Sequence, residues 1–264
     1  MAQAFISVAE TPQVVERALD TFRRGGFVVV FDSESRENEG DLMIAAEYVD
    51  ERAMGFMLDH TCGVVCVALS PELTERLGLD QMVHPNTGLH DTAFTVSVDL
   101  LQGTTTGISV HDRSLTIRAL AAPATQPADL ARPGHIFPIR AAPNGVLARD
   151  GHTEAGVDLS LLTGLSGATA ICEVVKSDWS MARLDDLVGL SERHGLPMIS
   201  VQDLVDHRRR LGADDPIASA HQALNRPTTS TSPLQRHKSR DRHPLQARGP
   251  LPEGRASGHS RRSW

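Results

Sequence analysis

Residues 27–41 read FVVVFDSESRENEGD, an apolar run from Phe27 to Phe31 that passes directly into five carboxylates by Asp41. Gly25-Gly26 closes the preceding helical pattern, and five consecutive apolar residues predict a strand buried on both faces. The charge that follows, from Asp32, Glu34, Glu37, Glu39 and Asp41, repels itself unless something positive sits there. Hard divalent cations take oxygen ligands, commonly one or two carboxylates with water and substrate oxygens. Arg36, inside the run, carries a planar fork suited to a carboxylate or a phosphate. The competing reading is a solvated acidic turn. An EF-hand is excluded, because Glu37 stands where that loop needs glycine.

Outward from this stretch, helices and strands interleave without strict alternation. A helix is predicted over 11–24, capped by Thr11. Another follows Asp50, then a buried strand over Gly63–Leu69 and a short helix over Pro71–Gly78. Thr92–Asp99 alternates as a strand does, and Asp112 is placed to cap a helix through Leu120. Strands are expected near His135–Arg140 and Ala168–Lys176, with a helix capped by Thr153 between them. A helix over 185–194, a strand near Pro197–Ser200 and a helix capped by Ser200 complete the pattern. Some strands lie close together in sequence, so the expected architecture is α+β, a mixed sheet covered by helices.

Hydrophobic residues make up 40% and charged residues 22% of 264 residues, which suits a folded domain over 1–210 rather than a disordered chain. The first 210 residues carry 17 Lys+Arg against 29 Asp+Glu, and an acidic body argues against nucleic-acid binding. Residues 211–264 reverse this with 9 against 4, lack hydrophobic periodicity, and read as a basic, disordered tail. Three cysteines without a CxxC pair argue against a disulfide framework and against a structural zinc site. No secretory signal or membrane span is apparent, and the expected location is the cytoplasm.

Several further segments hold candidate chemistry. Arg149-Asp150-Gly151-His152-Thr153 opens a predicted helix, whose free N–H groups bind phosphate well, while His152 can hold a metal or move a proton. An ordinary helix start with a solvated histidine is the alternative. His135 lies in a proline-flanked apolar segment, as a positioned or a merely structural imidazole. Glu173 shares a strand face with Ile171 and Val175, where burial favours proton transfer, unless it points from an edge to water. Cys66 reads most simply as a small buried hydrophobe. The Gly103-Thr-Thr-Thr-Gly107 loop lacks the ending of a nucleotide-binding P-loop.

Arg36-Glu-Asn-Glu-Gly-Asp41, Thr92-Ala-Phe-Thr-Val-Ser97, Thr105-Thr-Gly-Ile-Ser109, Arg132-Pro-Gly-His-Ile-Phe-Pro138 and Gly151-His-Thr-Glu-Ala155 occur in this order. Together they resemble the 3,4-dihydroxy-2-butanone 4-phosphate synthases of riboflavin biosynthesis over residues 8–209. The resemblance implies a three-layer sandwich and a homodimer with shared active sites. It also implies Mg²⁺ (or Mn²⁺) and conversion of ribulose 5-phosphate to formate and the four-carbon phosphate. Glu37 and His152 would ligate the metal, with Arg36, Glu37 and Asp41 contacting the sugar. Arg149, Asp150, Gly151, His152 and Thr153 would cradle the phosphate end. His135 and Glu173 would be catalytic, His135 reaching the partner's site, and Cys66 would join Glu173 in proton transfer.

Departures from the family pattern are Thr61 and Cys62, where a glycine and then arginine or serine are usual, and Trp179, where a glycine is usual. A sugar-phosphate-binding module weakened by these changes is therefore the alternative. The resemblance also raises fusion to GTP cyclohydrolase II. Without a cysteine after Cys172, the zinc site of that second enzyme is not expected here.

Overall fold

In the computed structural model, which describes residues 11–219, the apolar run becomes strand β1 (Val28–Phe31) and turns back through the acidic loop into β2 (Gly40–Ala45). The two pair antiparallel, Phe31 opposite Gly40 and Val28 opposite Met43, so residues 32–39 form a hairpin loop. Strand β2 escaped the sequence reading. Its Leu42-Met43-Ile44-Ala45 is buried on both faces and carries no alternation to reveal it.

Five further strands complete one mixed sheet: β3 (Cys66–Leu69), β4 (Val98–Leu100), β5 (Leu130–Arg140), β6 (Ala168–Glu173) and β7 (Met198–Ser200). Their order is β4-β5-β3-β6-β2-β1-β7. Strands β3 and β5, and β1 and β7, pair in parallel, and the remaining neighbours are antiparallel. Helices lie on both faces. Helices α2 (Glu51–His60), α3 (Pro71–Arg76), α4 (Val110–Ala121) and α6 (Leu184–His194) bury Met54, Leu73, Ile117 and Leu187 against Leu42, Ile44, Val67 and Ala170. Helices α1 (Thr11–Arg23), α5 (His152–Leu162) and α7 (Val201–Leu211) cover the other face, with Phe22, Ala155 and Leu204 in the same apolar layer as Met43, Cys66 and Ile171. Each buried Leu, Ile, Met or Phe contributes about 1.5–3 kcal/mol relative to exposure. The result is the expected α+β three-layer sandwich.

Local details differ from the sequence reading. Ser109, not Asp112, caps α4 by accepting from the Asp112 N–H, and Gly151, not Thr153, precedes α5. Both sequence choices missed by a few residues because a neighbouring residue supplied the extended backbone a cap requires. Of Thr92–Asp99, only the end joins β4, while Phe94 and Thr95 form isolated bridges. Asp50 and Ser200 cap α2 and α7 as expected. The tail expected from residue 211 does not start there. Leu211 ends α7, Gly212–Asp214 form a 3-10 turn, and Asp215 and Ile217 are buried because Asp215 pairs with the buried Arg208. Residues 220–264 lie outside the described residues. Among the described residues no helix is long and apolar enough to cross a membrane.

Trp179 adopts φ +68° and is 79% exposed, in a turn where its N–H bonds the Lys176 carbonyl. A left-handed conformation costs a bulky L-residue roughly 1–2 kcal/mol, against the roughly 0.5–1 kcal/mol of chain entropy that glycine loses. Trp179→Gly is therefore expected to stabilise the fold by about 0.5–1 kcal/mol in urea unfolding. An unchanged or lower midpoint would mean that the indole makes a compensating contact.

Candidate active site

The hairpin loop is organised by Asp32, whose role the sequence reading did not separate from the other carboxylates. Buried at the end of β1, it accepts from Arg36 Nη1 (2.9 Å) and the Glu37 N–H (3.1 Å) on one oxygen and from the Glu39 N–H (3.0 Å) on the other. Its signal was present in hindsight, a short acceptor side chain directly after a strand and before a turn. Arg36 also contacts Glu37 Oε1 at 2.9 Å. Glu34 is exposed and Glu39 half-buried, so the charged stretch divides into scaffold and site.

Glu37 points toward α5. Its Oε2 lies 3.7 Å from His152 Nδ1, and His152 is only 5% exposed with a buried Nε2 that has no hydrogen-bond partner. Asp41, on β2 and 3% exposed, leaves Oδ1 equally unpartnered. The facing His152 imidazole and the Arg36 charge hold the Glu37 carboxyl down to about 2 against the opposing effect of burial. Burial opposes charge on His152, but the Asp41 and Glu37 carboxylates outweigh it and push the imidazole up to about 9. Burial raises the Asp41 carboxyl to about 7.

Two unpartnered buried atoms beside a carboxylate are costly unless a ligand satisfies them. Ligand atoms of Asp32, Glu37 and His152 lie within 4.8 Å of one another, and the set of two carboxylates and one imidazole suits a divalent cation. The residues present therefore fit a metal ion.

The loop before α5 places positive charge next to this cluster. Arg149 Nη1 is fixed by the buried Glu154 (2.7 Å) and Nη2 by the His90 carbonyl (3.0 Å). A Cβ added at Gly151 would fall 2.2 Å from Arg149 Nη1, 2.7 Å from Glu154 Oε2 and 3.0 Å from Arg36 Nη2, so two guanidinium groups converge on the space above this glycine, with the Glu154 carboxylate between them. Together with the N–H groups at the start of α5 they put positive charge and hydrogen-bond donors at one corner, the combination an anion such as phosphate requires. A cavity of about 230 Å³ adjoins it, lined by Arg149, Thr153 and Arg140. Asp150 is exposed beside it.

Asp41 and Glu173 are direct partners across β2 and β6, and one strand further Cys66 pairs with Ile171. All three residues belong to the face covered by α5. Burial, with the fields of Glu173 and Asp41, pushes the Cys66 thiol far up, and its Sγ lies 3.6 Å from the Val64 carbonyl. The thiol that touches Glu173 is instead Cys62, 3.0 Å from Oε2.

His135 stands apart. It lies on β5, three strands from Asp41 in the sheet order, which at the usual strand spacing is about 14 Å. Asp99 accepts from its backbone N–H (2.9 Å) and pairs with its Nδ1 (2.7 Å), leaving the ring 44% exposed. In the sequence Asp99 marks only a strand end. Its partner is 36 residues away, so no local pattern signalled it. Within one chain the structure thus gathers Arg36, Glu37, Asp41, Arg149, Gly151, His152, Thr153 and Glu173 around one corner, and leaves His135 outside it.

Residues 16–207 match the family described as 3,4-dihydroxy-2-butanone 4-phosphate synthase. The synthase of that name from Agrobacterium fabrum is 49% identical over 193 residues, covering 73% of this chain and 91% of its own. The riboflavin biosynthesis protein RibBA of Aquifex aeolicus is 47% identical over 78% of this chain, which spans only 52% of that relative's length. A crystal structure of a 3,4-dihydroxy-2-butanone 4-phosphate synthase in complex with two magnesium ions superposes with a TM-score of 0.73 at 44% identity, covering 76% of this chain and 98% of that one. On this evidence the chain belongs to the 3,4-dihydroxy-2-butanone 4-phosphate synthase family.

Proposed function

We propose that residues 1–210 form a Mg²⁺-dependent lyase domain that converts D-ribulose 5-phosphate to formate and 3,4-dihydroxy-2-butanone 4-phosphate. The observation that carries this reading is the buried, unpartnered His152 Nε2 on an imidazole 3.7 Å from Glu37, beside the converging Arg36 and Arg149. Glu37 and His152 would hold the ion; Mn²⁺ carries the same charge and accepts the same ligands. When bound, the cation supplies Lewis-acid stabilisation of negative charge on neighbouring substrate oxygens.

The chain's own groups supply the rest. Arg149, Gly151, Thr153 and the α5 N-terminus take the phosphate, with Asp150 at its mouth. Anchoring that end converts binding energy into orientation at the sugar carbons. Arg36 and Asp41 contact the sugar hydroxyls. Glu173, opposite Asp41, is suited to remove the proton α to the ketone. Cys66, with its thiol held neutral, would assist only as a proton donor or relay. Water leaves from C1, the skeleton rearranges, and water is taken back as C4 departs as formate, so the product atoms sum to those of the substrate.

His135 would complete the site from a second copy of the chain in a homodimer with shared active sites. Its ring is oriented by Asp99 and exposed, beside Gly107. Cytoplasmic residence accords with a soluble sugar-phosphate substrate and reduced cysteines. Neither nucleic acid nor membrane is proposed as a partner. The weakened-module reading rests on Thr61, Cys62 and Trp179. Thr61 is well seated, its hydroxyl donating to the Met57 carbonyl at 2.8 Å.

The test is direct. Purified protein with ribulose 5-phosphate and Mg²⁺ should release one formate per four-carbon product, and chelation should abolish it reversibly. Binding of the sugar phosphate without turnover would favour the weakened module instead.

A further inference from the structure

Beside the proposed centre lies a second group of donor atoms, in which two thiols that the chemistry above does not use meet Glu173. Cys62 Sγ is 3.7 Å from Cys172 Sγ and 3.0 Å from Glu173 Oε2, and the three donor atoms all fall within 4.8 Å of one another. They come together because the Cys62 N–H bonds the Glu173 carbonyl (2.9 Å), which aligns Cys62 with the end of β6. Cys172 is 1% exposed whereas Cys62 is exposed, so the group has a closed floor and an open mouth.

Two thiolate sulfurs on one tetrahedral zinc ion, each about 2.3 Å from it, stand about 3.8 Å apart. The observed separation already matches that edge. A disulfide would require the same sulfurs to close to about 2.05 Å. The donor set of two sulfurs and one carboxylate oxygen is soft, unlike the oxygen and nitrogen donors of Glu37 and His152, and Mg²⁺ does not compete for thiolates.

We propose that Cys62, Cys172 and Glu173 form a second cation site, for a thiophilic ion of the Zn²⁺ class, and that filling it inhibits turnover by taking Glu173. Binding releases both thiol protons to solvent and leaves one coordination position for water. The inhibitory part rests on the reading of Glu173 as the general base; the binding part does not.

The experiment uses the full chain with a phosphine reductant and saturating Mg²⁺. Titration with Co²⁺ should produce a thiolate-to-metal charge-transfer band that Zn²⁺ removes, and Cys62→Ser and Cys172→Ala should each lack it. Zn²⁺ should lower formate release from the unmodified chain by about a hundredfold, the low end for loss of a positioned general base, and leave Cys62→Ser active at the same concentration. Absence of the band from the unmodified chain, or its persistence in Cys62→Ser, overturns the site. Equal inhibition of both proteins overturns the inhibitory role, because Zn²⁺ would then act at Glu37 and His152. A normal band in a protein that releases no formate with Mg²⁺ alone upholds the cation site and refutes the lyase reading.

Discussion

Glu37→Gln is expected to lower formate release from ribulose 5-phosphate by about a thousandfold at fixed Mg²⁺, equivalent to about 4 kcal/mol of lost transition-state stabilisation. The substitution keeps the size of the side chain but removes the charge that faces His152 at 3.7 Å and Arg36 at 2.9 Å. Its loop should persist, because Asp32 holds the backbone of Glu37 and Glu39 independently of the Glu37 carboxylate. His152→Ala is expected to act similarly, since it deletes the one imidazole in the cluster. If both remove the same ligand sphere, the double variant should be little worse than either single one. Steady-state formate assays across a Mg²⁺ series check this. Activity retained in both variants would remove these residues from the metal site.

Arg208→Ala is expected to cost about 3–5 kcal/mol of stability, the range for stripping one partner from a buried ion pair. Arg208 on α7 is 1% exposed and bridges Asp158 of α5 at 2.8 Å, Asp215 at 2.8 Å and the Asn144 carbonyl at 2.7 Å. It thus ties two helices to the turn that precedes Arg149. Without it, two buried carboxylates are left facing each other. Burial already raises Asp158 to about 7 against the pull of Arg208, and removing the guanidinium raises it further. A carboxyl raised in the folded state favours folding only while protonated. The deficit should therefore be smallest near pH 4 and grow as pH rises through 7 and beyond. Denaturant unfolding of both proteins at pH 5 and 8 measures it. Replacing Arg208, Asp158 and Asp215 together by apolar residues of similar volume should recover much of the loss. A pH-independent deficit would show that lost packing of the arginine stem, rather than the stranded carboxylates, sets the cost.

What was legible in the sequence was local. Phe27–Phe31 read as a buried strand because an apolar run between glycines and charges has one compact solution. Asp50 and Ser200 read as caps because their acceptor atoms bond backbone N–H groups three residues on. The five motifs spoke for the family because their order and spacing are jointly improbable by chance. Strand β2 was illegible for the opposite reason, since complete burial erases the alternation by which a strand is recognised.

The sequence by itself determined the fold class, the family and the residue types available for chemistry. It did not determine what Asp32 does, or which groups meet Glu37 and Asp41 across the fold. Tertiary structure decided that, by turning Asp32 inward as the loop's scaffold, bringing Glu37 to His152 across 115 residues, and pairing Asp41 with Glu173 across two strands. It also decided that Cys62, not Cys66, touches Glu173, and that His135 lies outside its own chain's cluster. The physical reason is the same in each case. Sequence spacing specifies a residue's neighbours along a strand or helix, whereas strand order and register specify its neighbours across the sheet, and charge and coordination act only across those distances.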